Sequence, residues 1–316
     1  MFNFLARRFF SSIISVIGAT LAIFVLIQFH NDPRELFVPD SGYGISQEQW
    51  EALGDRLGLN DPLWKQYVDW VGRTLRGDLG VSLARDRAVT ELLRGKIGAT
   101  VQLAIGSWVF AIALGIPMGV LAAVKRGSGW DYFGRGLAIV GQAAPPFVTA
   151  LVAIWIFAVW LDWLTAGGRS PEFNWKEYLL PCMALGWGAA ASLMRLTRSS
   201  MLEVLDSEYI RLARAKGVNW NWVIYKHALR NALIVPVTSA LLTFSGWLNG
   251  ALVVEIVFSW PGIGYEALYR AVNDNDFPLL LGTVFIFILI YLVFATIADI
   301  AYTIIDPRVR LGDSAE

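Results

Sequence analysis

FPLLLGTVFIFILIYLVFATIA, residues 277–298, carries no charged side chain. As a helix rising about 1.5 Å per residue, a run of this length crosses the roughly 30 Å hydrocarbon core of a bilayer. Five more charge-free stretches lie upstream, at 9–29, 97–124, 136–161, 178–194 and 231–254. Each is long enough for a helix that satisfies its own backbone in lipid, whereas a membrane barrel would show alternating strands of about ten residues. The sequence therefore predicts an all-α membrane protein with six transmembrane helices. The shortest stretch, 178–194, has Pro181 in its first turn, which leaves its start the least defined of the six. Composition agrees: 56% of residues are hydrophobic and 16% charged, against about 25% charged in soluble domains.

Charge between the spans sets the expected orientation. The first span follows Arg7-Arg8 and precedes His30-Asn31-Asp32-Pro33 rather than a small-residue cleavage site, so it reads as an uncleaved anchor. With Arg7-Arg8 in the cytoplasm, the segments 124–135 and 195–230 and the tail after Asp306 fall on the same side. Together with the N-terminus these hold 14 Lys and Arg, against 3 (Arg169, Lys176 and Arg270) in the two short opposite loops. The positive-inside rule thus places both termini in the cytoplasm. The remaining loop, 31–96, is long enough to translocate regardless of its charge. Within it, Ser46 with Gln49 predicts a capping box and Asp61-Pro62 a second helix start. Leu63, Tyr67, Trp70, Val71 and Leu75 then recur at helical spacing, so one face should lie on protein or on the membrane surface.

Several chemistries are missing. No G-x-x-x-x-G-K-[ST] loop is present to cradle phosphates. The two histidines, His30 and His227, stand apart and outside the spans, and the single cysteine, Cys182, excludes a Cys-cluster metal site. Asp162, Glu255 and Asp299 sit at span ends, with Asp299 the nearest to burial, so the midplane carboxylates of a proton-coupled carrier or channel are not evident. Zero net charge gives no field for nucleic acid.

What remains is the polar segment 195–230. Residues 207–216 favour helix, with apolar positions at Leu205, Tyr209 and Leu212 and cations toward the C-terminal end. Gly217 supplies a left-handed stop, and a second helical stretch starts near Asn219 and runs into the fifth span. A basic helical pair of this kind suits acidic lipid headgroups or a cytosolic protein equally.

At this segment the chain resembles the inner-membrane permeases of ATP-binding cassette (ABC) importers. Their shared loop runs Glu-Ala-Ala, three residues, Gly, nine residues, Ile, one residue, Leu-Pro; here Ala213, Gly217 and Leu229 fit it. The peptide-importer branch has a closer form, which Tyr209 to Gly217 and His227 to Leu233 match except at Leu212. Leu59-Asn60-Asp61-Pro62, Gly77 to Ser82, Trp130-Asp131-Tyr132, Pro261 to Gly264 and the ending Ile305 to Arg310 are similar to the family as well. Pro236 lies one position later than the family pattern.

The likeness is greatest to the B-type subunit of dipeptide and oligopeptide permeases, a family that also carries nickel, glutathione and oligosaccharides. It implies the type I importer permease fold: residues 1–30 as N-terminus and first helix, 31–96 as an extracytoplasmic insertion, 97–306 as a five-helix core containing coupling loop 195–230, and 307–316 as a cytoplasmic tail. It also implies a non-catalytic subunit that pairs with a homologous C-type permease, two cytosolic ATPases that hold ATP and Mg, and an extracytoplasmic binding protein, with membrane lipid around it and no cofactor of its own. The coupling residues it marks are Glu208, Tyr209, Arg211, Ala213, Arg214, Ala215, Lys216, Gly217, His227, Leu229 and Arg230. A stand-alone channel or proton-coupled carrier would leave those residues unexplained, and a lipid-bound scaffold would account for the basic loop alone. The tryptophan content, high for a peptide permease, reads mainly as interfacial belts and leaves room for a sugar ligand.

Overall fold

Proline and apolar length together dictate which stretches become single helices. The computed structural model describes residues 2–30, 34, 46–244 and 246–305; the expected cytoplasmic tail after Asp306 and the Asn31-Asp32-Pro33 turn lie outside them. The first stretch falls in α1 (Phe2–His30), the second in α4 (Val89–Val124), the fourth in α7 (Trp175–Leu205) and the sixth in α11 (Phe277–Ile305). Before α4 come α2 (Gln47–Leu57) and α3 (Leu63–Thr74), and α8 (Glu208–Ala215) follows α7.

Two stretches are broken. The third divides into α5 (Gly129–Ala143) and α6 (Pro146–Ala153), continued by wide turns to Trp160, and the two arms bend by 114°. Pro145 and Pro146 cause this: neither has an amide to donate, and the residue before a proline is pushed out of helical geometry, as Ala144 is at φ −84°, ψ 121°. The fifth stretch becomes α9 (Ile234–Phe244) and α10 (Trp247–Val257), with Pro236 in the first turn of α9, where a missing amide is tolerated.

The chain forms two units, Met1–Ala99 with Gly262–Leu292, and Thr100–Pro261 with Val293–Glu316. In the first, Ser46 and Gln49 make the expected reciprocal cap: the Gln49 amide donates to Ser46 Oγ at 3.3 Å, and the Ser46 amide to Gln49 Oε1 at 3.1 Å. The next helix starts one residue later than expected. Pro62 is its cap, and Asp61 accepts from Lys65 Nζ at 2.8 Å instead of from the backbone. The loop after Gly77 is pinned by Asp276, which is 1% exposed. Its carboxylate accepts from the Ser82 hydroxyl and from the amides of Leu83 (3.2 Å), Ala84 (3.4 Å) and, as a helix cap for α11, Leu279 (3.2 Å). Beneath it Leu79, Val89, Leu93, Ile263 and Leu279 form an apolar core.

In the second unit small residues bring α4 and α7 together. A Cβ on Gly115 would stand 2.6 Å from the Ala190 carbonyl oxygen, and one on Gly186 2.7 Å from that of Ser107. Helices in lipid gain chiefly from such close backbone packing. Of the span-end carboxylates Asp162, Glu255 and Asp299, the buried one is Glu255, not Asp299: Glu255 is fully buried and accepts from Thr100 Oγ1 at 2.6 Å, while Asp299 is half-exposed. Position in sequence placed both at span ends; the facing threonine on α4 is what permits Glu255 to be enclosed.

Asp276→Asn should destabilise the chain by about 2 kcal/mol, the scale of losing hydrogen bonds to a charged acceptor. Asp274→Asn, whose side chain is 42% exposed in its pair with Arg85, should cost about 1 kcal/mol or less. Thermal denaturation of both variants in detergent checks the difference.

Candidate functional site

α8 is a two-turn helix of sequence EYIRLARA, too short to persist without tertiary contacts. Its inner face supplies them. Ile210, 1% exposed, packs with Met201, Val223, Ile224, Ala228 and Ala232, and Ala213, Val218 and Leu229 close around it. Leu205 packs against the same cluster, whereas the other two apolar positions noted in the sequence, Tyr209 (43% exposed) and Leu212 (57%), lie on the outer flank. Ile210 and Ala213, three apart, lie inward, where Met201 and Val223 receive them.

The end of α8 is set by Gly217. It has φ +76°, the left-handed conformation expected of it. Its amide bonds the Arg214 carbonyl at 2.9 Å, and the Val218 amide bonds that of Ala213 at 3.2 Å. These are the two bonds of a Schellman cap, with Val218 and Ala213 supplying the apolar contact that accompanies it. A Cβ at Gly217 would meet no heavy atom within 4 Å, so conformation and not close packing reserves the position for glycine. Asn219 then caps the next stretch by accepting from the Asn221 amide at 3.0 Å, and helical turns, wide between Val223 and Ala228, lead on to α9.

The remaining marked residues occupy the outer surface. Glu208 pairs with Arg211 at 2.8 Å, both exposed. The Arg214 guanidinium lies over Trp220 at 5.2 Å, and Lys226 over Trp222 at 5.1 Å. Ala215, Lys216 and Arg230 are exposed and His227 is half-buried. Asn231 Nδ2 donates to Tyr209 Oη at 3.1 Å and so ties α8 to the second arm. Tyr209, Lys226, His227, Arg230, Asn231 and Ile234 line an open depression of about 590 Å³. With exposed Leu212, Trp222 and Tyr225 nearby, the surface combines aromatic, aliphatic and cationic groups, a composition common in protein interfaces. The tryptophans and Tyr225 were not singled out from sequence; their clustering within six residues of one another was the available signal.

A second feature escaped the sequence. Arg198 on α7 grips Asp131 on α5 in a bidentate pair, Nε to Oδ1 at 2.7 Å and an amino nitrogen to Oδ2 at 2.9 Å, while the Gly127 amide adds a third bond at 3.0 Å. Both residues lie beyond the apolar stretches 136–161 and 178–194. The Arg198 hydrogen bonds hold the Asp131 carboxyl down at about 2 despite its burial, and Arg198 is raised in turn. A carboxylate lowered in the folded state stabilises fully above its unfolded pKa near 4 and loses that contribution as pH falls toward 2. Asp131→Asn should therefore cost about 2 to 3 kcal/mol at pH 7. The gap from the parent should narrow between pH 4 and 2, which denaturation midpoints measured across that range would check.

Comparison with known proteins adds the following. Residues 115–311 match the family described as binding-protein-dependent transport system inner membrane component, and residues 1–104 match the N-terminal family of such membrane components. The dipeptide transport system permease protein DppB of Alkalihalophilus pseudofirmus is 36% identical over 336 residues, covering 98% of this chain and all of the relative. The glutathione transport system permease protein GsiC of Escherichia coli K12 is 33% identical over 311 residues, covering 98% and 99%. Among solved structures, the MetNI methionine ABC transporter in inward-facing form superposes with a TM-score of 0.57 at 18% identity, over 68% of this chain and 96% of that one. An amino acid ABC transporter gives 0.50 at 16% identity, over 67% and 94%. At these identities the two structures speak for the fold alone.

Proposed function

This chain belongs to the inner-membrane components of binding-protein-dependent transport systems, and from that premise we propose that it forms half of a translocation pathway for di- and oligopeptides. It is a membrane-embedded permease subunit of an ABC importer, a class that works with ATPase and binding-protein partners. The peptide reading takes support from the dipeptide relative and from the glutathione relative, whose cargo is itself a short peptide. The assembly we propose is one homologous C-type permease, two cytosolic ATPases carrying ATP and Mg, and one extracytoplasmic binding protein, with both termini of this chain in the cytoplasm. The chain itself performs no catalysis.

The observation that carries the coupling role is the Schellman-capped α8, fixed to the segment that leads into α9 and presenting Tyr209, Leu212, Arg211, Arg214 and Lys216 outward. A rigid helix docked in a groove transmits displacement, which a flexible loop does not. Nucleotide binding then shifts the two pathway states by its differential affinity for them. The Ile210 cluster passes motion of α8 to Met201 on α7 and to Ala232 at the entry of α9.

Because a Cβ at Gly217 finds open space, Gly217→Val brings only the left-handed backbone cost of about 1 to 2 kcal/mol. The variant should reach the membrane at parental abundance yet capture less ATPase and import no peptide, while Gly217→Asn should lie between. Undiminished capture with normal uptake, measured by pull-down and labelled-dipeptide import, would sink the assignment of α8. The purified chain should hydrolyse no ATP, and the assembled complex should.

A further inference from the structure

α3 follows the first span and would ordinarily be placed above the membrane. Its contacts put it elsewhere. Tyr67 Oη lies 2.9 Å from Thr20 Oγ1 and donates to the Ile17 carbonyl at 3.3 Å. Its ring packs edge-on against Phe24 at 5.4 Å, and Trp70 packs edge-on against Phe285 at 6.1 Å. Thr20 precedes the end of the first apolar stretch by nine residues, about 14 Å along a helix, and Phe285 lies eight residues into the last, about 12 Å. Residues 21–27 of α1, beyond the Thr20 contact, contain no polar side chain. Were α3 above the bilayer, that apolar run would stand in water.

The side chains of α3 are distributed to match. At about 100° per residue, Trp64, Val68 and Leu75 fall within about 40° of one another. They are 70%, 58% and 82% exposed. Ile17 (50% exposed) and Leu21 (42%) of α1 flank the Thr20 contact on a span that lipid must cover. Gln66, Asp69 and Arg73 fall on the opposite side, about 140° to 200° from Trp64. They line a cleft of about 860 Å³ together with Val68 and with Asp61, which holds Lys65 at 2.8 Å. Charged groups at membrane depth are tolerated where they pair or face a polar cavity; Asp61 pairs with Lys65, and Asp61, Asp69 and Arg73 face the cleft.

We infer that α3 is seated inside the hydrocarbon layer, with Trp64 and Leu75 in contact with lipid acyl chains and Gln66, Asp69 and Arg73 turned to the cleft. The insertion after the first span is then in part a membrane element, which holds α1 against α11 within the bilayer.

Spin labels on single cysteines in the assembled transporter, reconstituted in lipid nanodiscs, test this. Cys182, the one native thiol, is 7% exposed, so the unsubstituted chain sets the labelling background. Labels at Trp64→Cys and Leu75→Cys should collide several-fold more often with oxygen than with a water-soluble nickel chelate, and labels at Asp69→Cys and Gln47→Cys should show the reverse. Leu75→Cys alone provides the reading if the Trp64 variant fails to assemble. Nickel access at 64 and 75 equal to that at 47 would overturn the inference in favour of an aqueous surface. Shielding from both reagents would overturn it in favour of a protein occupant, either the second permease or the binding protein.

Discussion

In hydrocarbon every backbone amide and carbonyl needs a partner inside the protein, and the architecture follows from that requirement. Long helices such as α4, α7 and α11 meet it through their own backbone, except where Pro117 in α4 and Pro181 in α7 have no amide to give. The break between α5 and α6 meets it differently. Pro145 and Pro146 have no amide to leave unpaired, and the Ala144 amide turns back to the Val140 carbonyl at 3.1 Å. The freed Pro145 carbonyl accepts from the amides of Val148 and Thr149 and from the Thr149 hydroxyl at 3.3 Å. The second arm of the 114° bend is thus anchored on the Pro145 carbonyl, and the proline pair adds no amide that would need a partner.

Hydropathy made the spans legible because solvent selects on composition, and composition is local. It also hid the breaks: residues 136–161 average as one apolar run although Pro145-Pro146 marks the bend within it. Local chemistry was equally readable at Ser46–Gln49 and at Gly217, where cap and left-handed residue are fixed by neighbours three or four positions away. Long-range polar pairs were not. Asp131 and Arg198 are 67 residues apart, and Ser82 and Asp276 are 194 apart. Each looked like an ordinary charge or hydroxyl at a span end. The buried face of α8 was not legible for a related reason: eight residues carry too few apolar positions to fix a helical phase, and the residues that decide it, Met201 and Val223, belong to other elements.

Exposure alone does not identify the solvent of an apolar stripe. Tyr209, Leu212, Trp222 and Tyr225 are as open as Trp64, Val68 and Leu75. Their companions differ. Around α8 the apolar groups are interleaved with Arg211, Arg214, Lys216, Lys226 and Arg230, and two of these cations stack on tryptophans. Acyl chains would strip water from every one of those charges at a cost that nothing nearby offsets. A protein groove can offer carboxylates and carbonyls along with apolar contact, so the α8 surface is suited to a folded partner. Around α3, Asp61, Asp69 and Arg73 line a cleft that Trp64 and Leu75 do not line. There a bilayer can cover Trp64 and Leu75 and leave those charges in the cleft. Two patches of similar hydrophobicity thus call for different neighbours, and the placement of their cations, not their apolar area, decides which.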